Sequence, residues 1–453
     1  MESGRVHRVE EGSERIPPQA WIVLTTTVLG WVVTTLDLQL SAFLQTQITP
    51  ALHASATFVG NVFFIFSAGL AVGALVLGYF SDLWIGRRRA FMYSIVGTIL
   101  LTGLTGFASN ETEFVVIRFF AGVFSGGEWI LGLSILSEVA PRRHRSLMLG
   151  CTQAAVGIGY GIANTFAATF AAPGALGWRA AYFASFAFAA VTYVVRLKVE
   201  ESPHWKRAVG DAATRRLSDV RENVHGLLAG RQRRLTLLAI GLFIAIGAPQ
   251  GTWDFLYPKW YSDIGHQYGG GTGITYAYEA AIIVSTISCG WFMDRVSAKR
   301  LWPVVWLSVP FTILIWQTSK SSGIVLAVIF LFLAGFGRQG MWSLVAGYFP
   351  VLFPTRLRGT GMGMTWVGGW LLGYTLSAEW GTQLQAHIGW NTWWIVQAAL
   401  LLVMPLPMII AGVETKGRDL DFQEEDRGET NDRSGSKGGR RRGGGGESVA
   451  TPT

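Results

Sequence analysis

The sequence predicts an all-α integral membrane protein, with twelve transmembrane helices in two pseudo-symmetric six-helix bundles. Three observations predict it. Half of the 453 residues are hydrophobic and 15% are charged, too few charges for a soluble chain of this length. Those charges cluster in short runs between apolar stretches of about 20 residues, enough to cross about 30 Å of hydrocarbon as helix. The chain also repeats itself. Gly78-Tyr-Phe-Ser-Asp82 with Gly86-Arg87-Arg88 returns as Gly290-Trp-Phe-Met-Asp294 with Ala298-Lys299-Arg300, an offset of about 212 residues. At an offset of about 213, Ala121–Trp129 lies over Ala334–Trp342, Pro141 and Arg145 over Pro354 and Arg358, and Glu201 over Glu414. A near-constant offset across most of each copy implies two homologous halves.

Taken in order, the apolar segments predict helices at 20–44, 57–80, 90–108, 112–139, 146–171 and 178–198, then at 235–261, 273–294, 301–319, 323–347, 358–379 and 390–412. The organisation that follows is a tail over 1–19, a bundle over 20–200, a polar linker over 201–234, a second bundle over 235–413 and a tail over 414–453. The first 18 residues are polar, with no short apolar core and no small-residue cleavage site, so the first apolar segment is expected to stay as a helix. An even number of helices puts both termini on one side. Arg87-Arg88-Arg89, Arg142-Arg143, Arg145, the Lys206–Arg234 stretch, Arg295–Arg300, Arg356 and Arg358 all fall on that side. Lys259 and Lys320 are the main exceptions opposite. The positive-inside rule therefore places both termini and the linker in the cytoplasm, and the chain in the plasma membrane as a multi-pass protein. Within the linker, Leu217, Val220, Val224 and Leu228 recur at helical spacing beside charges, as in a helix lying on the membrane surface. Residues 423–453 are Gly, Arg and Glu with almost no apolar content, a composition expected to be disordered.

The net charge of +8 and a pI near 9.6 could suggest nucleic acid, but the basic residues recur loop by loop and form no single binding face. No nucleic-acid partner is expected. Cys151 and Cys289 both lie in apolar segments, so neither a disulfide framework nor a zinc site is indicated. No nucleotide loop, metal-ligand cluster or nucleophile–base pair appears, so no enzyme, metal or cofactor is expected. Duplicated six-helix halves are the layout of an alternating-access transporter. The expected partners are the lipid bilayer, a small-molecule substrate and protons, with the chain working as a monomer.

The motifs carry a resemblance. Gly78, Asp82, Gly86, Arg87 and Arg88 match the signature G-x-x-x-D-x-x-G-[RK]-[RK] of the major facilitator superfamily, with one extra residue before Gly86. Arg118-x-x-x-Gly122 and Glu138-x-x-Pro-x-x-x-Arg145 are further marks of that family. The second copy keeps Asp294, Pro354 and Arg358 but has Val351 where Glu138 stands. The chain resembles the superfamily over about residues 20–420. The resemblance implies that these signature residues, Arg118 among them, latch the halves together when the cavity faces outward. The plainer alternative is that the loop arginines only set topology.

Glu201-Ser-Pro-His-Trp205 and Glu414-Thr-Lys-Gly-Arg418 look like tail motifs shared by sugar porters and organic-acid symporters. Sugar porters carry a pair of Gln in helix seven, and only Gln250 stands here. Gly126-Gly127-Glu128-Trp129 resembles the metabolite, sialate and monocarboxylate:proton symporters. Thr34-Thr-Leu-Asp37-Leu-Gln39 resembles the D-G-[FY]-D-L-Q of the aromatic-acid:proton symporters, with Thr34 in place of the first Asp. The implied function is proton-coupled symport of a small organic anion. A sugar or polyol symporter, an exporter, or a non-transporting nutrient sensor on the same fold are the alternatives.

Charges at bilayer depth cost roughly 2.5–3.5 kcal/mol on insertion scales and persist where they face a cavity or a partner. The candidates are Asp37, Arg118, Glu128, Asp254, Glu279 and Arg338. Arg338 offers a planar fork for a substrate carboxylate. Alternatively it is a structural partner of Glu128 or Asp254. In the family resembled, helices one, four, seven and ten line the cavity, which would bring Glu128 and Arg338 together across the pseudo-twofold axis. Asp37 and Glu128 are the candidate proton carriers, since burial penalises the charged form. Asp37 is expected to lie away from any fixed cation, its alternative role being a structural bond to a nearby hydroxyl or amide. Asp254 could gate, touch substrate, or pair with Lys259. Glu279 has Tyr276 and Tyr278 beside it and a weaker claim to function. Trp129 and Trp342, a repeat-related pair, are candidates for the apolar part of the substrate, and Gln39 and Gln250 for its polar part. Glycines crowd segments five and eleven, where they allow close helix packing.

Overall fold

The computed structural model describes residues 16–55, 58–172, 174–202, 205–206, 225–263, 273–318 and 324–414. Among the described residues helix occupies most of each of the twelve expected segments, and no strand occurs there. Nine helices there are long and apolar enough to cross a membrane by length and composition. The first half consists of α1 (Pro18–Phe43), α2 (Phe58–Leu83), α3 (Arg87–Thr105), α4 (Glu111–Val139), α5 (Arg145–Phe170) and α6 (Trp178–Arg196). The second begins with α7 (Gly230–Asp263) and α8 (Gly273–Met293). Expectations for the N-terminal tail, the surface helix at Leu217–Val224, Lys320, the 415–453 tail and the Lys259 side chain fall outside what is described.

Local chemistry explains several boundaries. Asn110 caps α4, its side chain accepting from the Glu113 amide at 2.9 Å, with Glu111 and Glu113 in the positive first turn. Gly86, at φ 80°, makes the left-handed turn that starts α3. A short helix, Gln45–Ala51, follows α1 and was not expected. The ninth span, α9, starts as Ala298–Leu301 and a 3-10 stretch, Trp302–Leu307, before Ser308–Thr318; Pro303 lacks the amide a regular α-turn needs there. The tenth, α10, is Ile324–Leu352. The eleventh, α11, begins as Arg358–Trp366 and widens into a π-helix over Val367–Thr375. It runs on into Leu376–Val403, where Gly389 at φ 72° breaks the helix and α12 begins.

Glycine decides how closely the helices approach. Gly69, Gly73, Gly122 and Gly126 bring α2 and α4 into backbone contact. Between the halves, Gly78 meets Gly359 and Gly363 meets Ala74 across α2–α11, while Gly150 meets Gly290 across α5–α8. Sliding surfaces of this kind suit two bodies that rock against each other.

Candidate functional site

The signature residues form a two-sided clamp on the basic-loop side. Asp82, at the end of α2, accepts from the Gly359 amide (3.1 Å), the Thr360 amide (2.7 Å) and the Thr360 hydroxyl (2.9 Å). Its repeat partner Asp294, just past α8, accepts from the Ser146 and Leu147 amides at 2.8 and 3.0 Å. Each carboxylate thus caps the N-terminus of a helix in the other half, where orphan amides and the helix dipole favour an anion. Arg87 ties the network together. It lies 3.4 Å from Asp82 and 3.3 Å from Glu138, and donates to the Thr355 carbonyl of the opposite half at 2.8 Å. Glu138 also accepts from Arg358 and from the Ser202 hydroxyl. The cations paired directly with Glu138 are therefore Arg87 and Arg358, one from each half. Arg88 and Gly86 belong to a side branch. The Arg88 amide donates to Glu201 at 3.1 Å, and its Nε to the Val199 carbonyl at 2.6 Å. Burial pushes the Glu201 carboxyl up from its ordinary value, while the Arg88 and Ser202 amides pull it down.

Arg118 departs from the expected latch. Its Nη1 pairs with Asp37 Oδ2 at 2.6 Å, its Nη2 donates to the Asp37 carbonyl at 2.9 Å, and the guanidinium lies over Phe66. Twenty residues of α4 separate it from Glu138, about 30 Å along the axis. Asp37 is accordingly not remote from a fixed cation, as the sequence suggested. The expected approach of Glu128 to Arg338 is also corrected. Glu128 turns into its own bundle and is held by Arg196 at 2.7 and 2.8 Å and by Ser94 at 2.5 Å. Arg196 further donates to the Phe91 and Thr26 carbonyls and stacks on the Phe91 ring. A planar fork inside the bundle satisfies the carboxylate bidentately, leaving nothing for Arg338. Sequence reasoning missed Arg196, although an arginine inside the run Tyr193-Val-Val-Arg196-Leu was a readable signal.

Between the basic-side clamp and a second set of contacts lies a small cavity. That second set includes Phe63 stacked on Tyr374 (5.9 Å) and the Thr165 and Tyr276 hydroxyls 3.1 Å apart. One wall is an aromatic ladder on α11. Trp366, Trp370 and Tyr374 stack face to face, with centroids 5.0 and 4.3 Å apart and planes within 9° and 11° of parallel. The π-helical winding sets these rings above one another at four-residue intervals. Trp31, Trp342, Thr34, Thr35, Gln153 and Gln339 line other faces. Trp342 therefore stands where expected. Trp129 does not: it packs behind Trp366 at 4.5 Å and donates to Gln153 at 3.2 Å. Gln39 is half-buried and Glu128 buried, both off the cavity wall.

Asp254 sits at the polar end of the cavity. It accepts from Gln250 (2.8 Å) and Tyr374 (3.0 Å), with the Tyr278 hydroxyl at 3.4 Å. Arg338 stands one layer behind. It donates to the Tyr278 hydroxyl, lies 4.1 Å over Trp253, and has Nε and Nη1 without hydrogen-bond partners. Gln339 donates to the same hydroxyl. Tyr278 thus bridges a buried cation and a half-buried carboxylate. Around the wall, Thr34 Oγ1, Gln250 Oε1 and the indole NH groups of Trp31, Trp366 and Trp370 are also without partners. Unsatisfied buried polar atoms aimed at a cavity are the groups a ligand would engage.

Comparison with known proteins agrees with this architecture. The chain is 26% identical over 375 residues (80% of this chain, 82% of the relative) to the "Probable 4-methylmuconolactone transporter" of Cupriavidus pinatubonensis. It is 25% identical over 395 residues (85% and 87%) to the gentisate transporter of Corynebacterium glutamicum. The solved structure of the proton:xylose symporter XylE superposes with a TM-score of 0.74 at 17% identity, covering 90% of this chain and 98% of that one, which speaks to the fold alone. Residues 22–378 match the Major Facilitator Superfamily, so the chain belongs to that superfamily and is a multi-pass transmembrane transporter.

Proposed function

We propose that this transporter carries a small organic anion, with a planar aromatic carboxylate as the preferred class, in symport with protons by alternating access. The observation that carries the reading is the ladder of Trp366, Trp370 and Tyr374 facing a cavity whose polar end is backed by Arg338. An aromatic ring extends the stack, and offset-stacked pairs contribute about 0.5–1.5 kcal/mol beyond area burial. A substrate carboxylate reaches Arg338 when Tyr278 or Gln339 turns aside, engaging the unpartnered Nε and Nη1 as a fork. The related gentisate transporter, named for an aromatic acid, supports the same class. The three amides at the wall, Gln153, Gln250 and Gln339, favour the rival reading of a polyol substrate.

The halves 20–200 and 235–413 act as the rocking units, with the basic loops, both termini and the linker on the cytoplasmic side of the plasma membrane. Asp37 is the proposed proton carrier. One of its oxygens is held by Arg118 and the other, Oδ1, is buried without a partner; Asp37 lies one helical turn from the cavity residue Thr34 and next to the cavity residue Leu38. Thermal unfolding of the purified protein with gentisate, gallate, nicotinate or xylose tests the substrate class. A ligand at a hundred times its Kd stabilises by about 2.7 kcal/mol. Stabilisation by xylose alone would replace the anion reading with the polyol one. Counterflow of labelled gentisate in proteoliposomes then separates a transporter of this acid from a sensor.

A further inference from the structure

Glu279 is absent from the site described above, yet it is among the least satisfied charged groups described. It lies on α8, in the seam where α8 of the second half packs on α5 of the first, and is 3% exposed. Neither carboxylate oxygen has a hydrogen-bond partner. The seam is shaped around it. A Cβ at Gly157 would run into the Glu279 backbone carbonyl, and one at Gly161 would sit 3.3 Å from Oε2, so small residues on α5 leave room for this side chain. Around this part of the seam the titratable groups are Tyr160 of α5, Arg338 of α10 and Asp254 of α7, with Tyr276 and Tyr278 on α8 itself; Arg145, Cys151, Tyr348 and Cys289 lie farther along the same helices. Arg338 is turned onto Tyr278 and Trp253, and Tyr276 pairs with Thr165. Among the described residues no ion pair reaches Glu279.

A bare carboxylate in such a place is costly, and carrying a proton removes the charge. The seam is also one of the surfaces between halves that must separate and re-form in alternating access. We propose that Glu279 is a second proton-binding site, whose protonation permits the outer ends of α5 and α8 to pack and whose ionisation drives them apart. The idea deepens the proton-coupled reading by adding a residue distinct from Asp37. Ionised, Glu279 demands water, which only the separated seam supplies; neutral, it tolerates the packed seam seen here. Proton binding from the outside would thereby clear the way for the transporter to turn its cavity inward.

Two measurements on the substrate-free protein in nanodiscs test this. In the first, infrared difference spectra compare wild type with Glu279→Gln at neutral pH. A carboxylic-acid C=O band present only in wild type is expected, and its absence overturns the proposal. In the second, spin labels on Arg89→Cys and Arg300→Cys, with Cys151 and Cys289 replaced by Ser, report the separation of the halves on the basic side. Raising the pH from about 5 to about 10, a range that covers documented buried Glu titrations, should shift wild type toward the short, basic-side-closed distance. Glu279→Gln should keep the acid-side distribution throughout. A wild-type distribution that ignores pH, or a Glu279→Gln variant that still shifts, overturns the role in the seam. A shift kept by Glu279→Gln but lost in Asp37→Asn assigns the proton to Asp37 alone. Whether gentisate accumulation requires a proton gradient is a separate question, and a negative answer there leaves both readouts decisive.

Discussion

The two halves share a fold but treat charge in opposite ways. In the first half the intramembrane charges pair internally: Asp37 with Arg118, and Glu128 with Arg196. The repeat-equivalent positions in the second half hold Gln250, Leu331, Met341 and Ile409, none of them charged. That half instead keeps Asp254, Arg338 and Glu279 out of any direct ion pair with one another, held through tyrosines and amides or not held at all. It also carries the π-helical aromatic ladder. The repeated scaffold thus carries a charge-stitched half and one whose polar groups stay available to a ligand. A carboxylate with a bidentate guanidinium has nothing left to offer a substrate, whereas one bridged by a tyrosine hydroxyl does.

The largest expected effect breaks the stitched half. Arg196→Met leaves Glu128 buried and uncompensated and should destabilise by about 3–5 kcal/mol, while Glu128→Leu with Arg196→Met should recover most of it. Thermal unfolding followed by size-exclusion chromatography measures both. Wild-type stability in the single variant would mean that this half is not held by charge. In the second half, Arg338→Lys should leave stability near wild type. Its affinity for gentisate should fall tenfold or more, about 1.4 kcal/mol, because the fork is lost and the charge kept. Calorimetric titration reads this, and unchanged affinity would move the carboxylate site away from Arg338.

A third contrast concerns the clamp, where the halves look most alike. Removing a hydrogen bond to a charged group costs about 1.5–3 kcal/mol. Asp82→Asn should therefore speed hydrogen exchange at the Gly359 and Thr360 amides by roughly tenfold or more. Asp294→Asn should act less at Ser146 and Leu147, because Asp82 alone belongs to the Arg87–Glu138–Arg358 network. Equal effects would show that the extra charges do not strengthen the clamp. The smallest effect is expected from Trp370→Leu, which shortens the ladder and should weaken gentisate binding by about 0.5–1.5 kcal/mol. No loss would indicate that the substrate does not stack.

Much of this protein was legible in its residues. Hydropathy and an offset repeat located the helices because a lipid solvent demands long apolar segments whose backbone is satisfied internally. The same repeat pointed to Asp82 and Asp294, and the structure gives them matching roles as caps on the opposite half. What the sequence could not decide was which charge meets which. Glu128 and Arg338 look like partners when each is placed on its helix face, yet Arg196, 68 residues further along the chain from Glu128, reaches the carboxylate first. Asp37 looked isolated until Arg118, 81 residues away, closed on it. The π-helix that aligns Trp366, Trp370 and Tyr374 was equally invisible, since it depends on how Gly368, Gly369 and Gly373 pack against Ile240, Phe243 and Ile244 of α7. Composition and periodicity are properties of one segment, so a sequence states them directly. Ion pairing depends on the rotation of several helices about their own axes, and only packing of the whole bundle sets those angles.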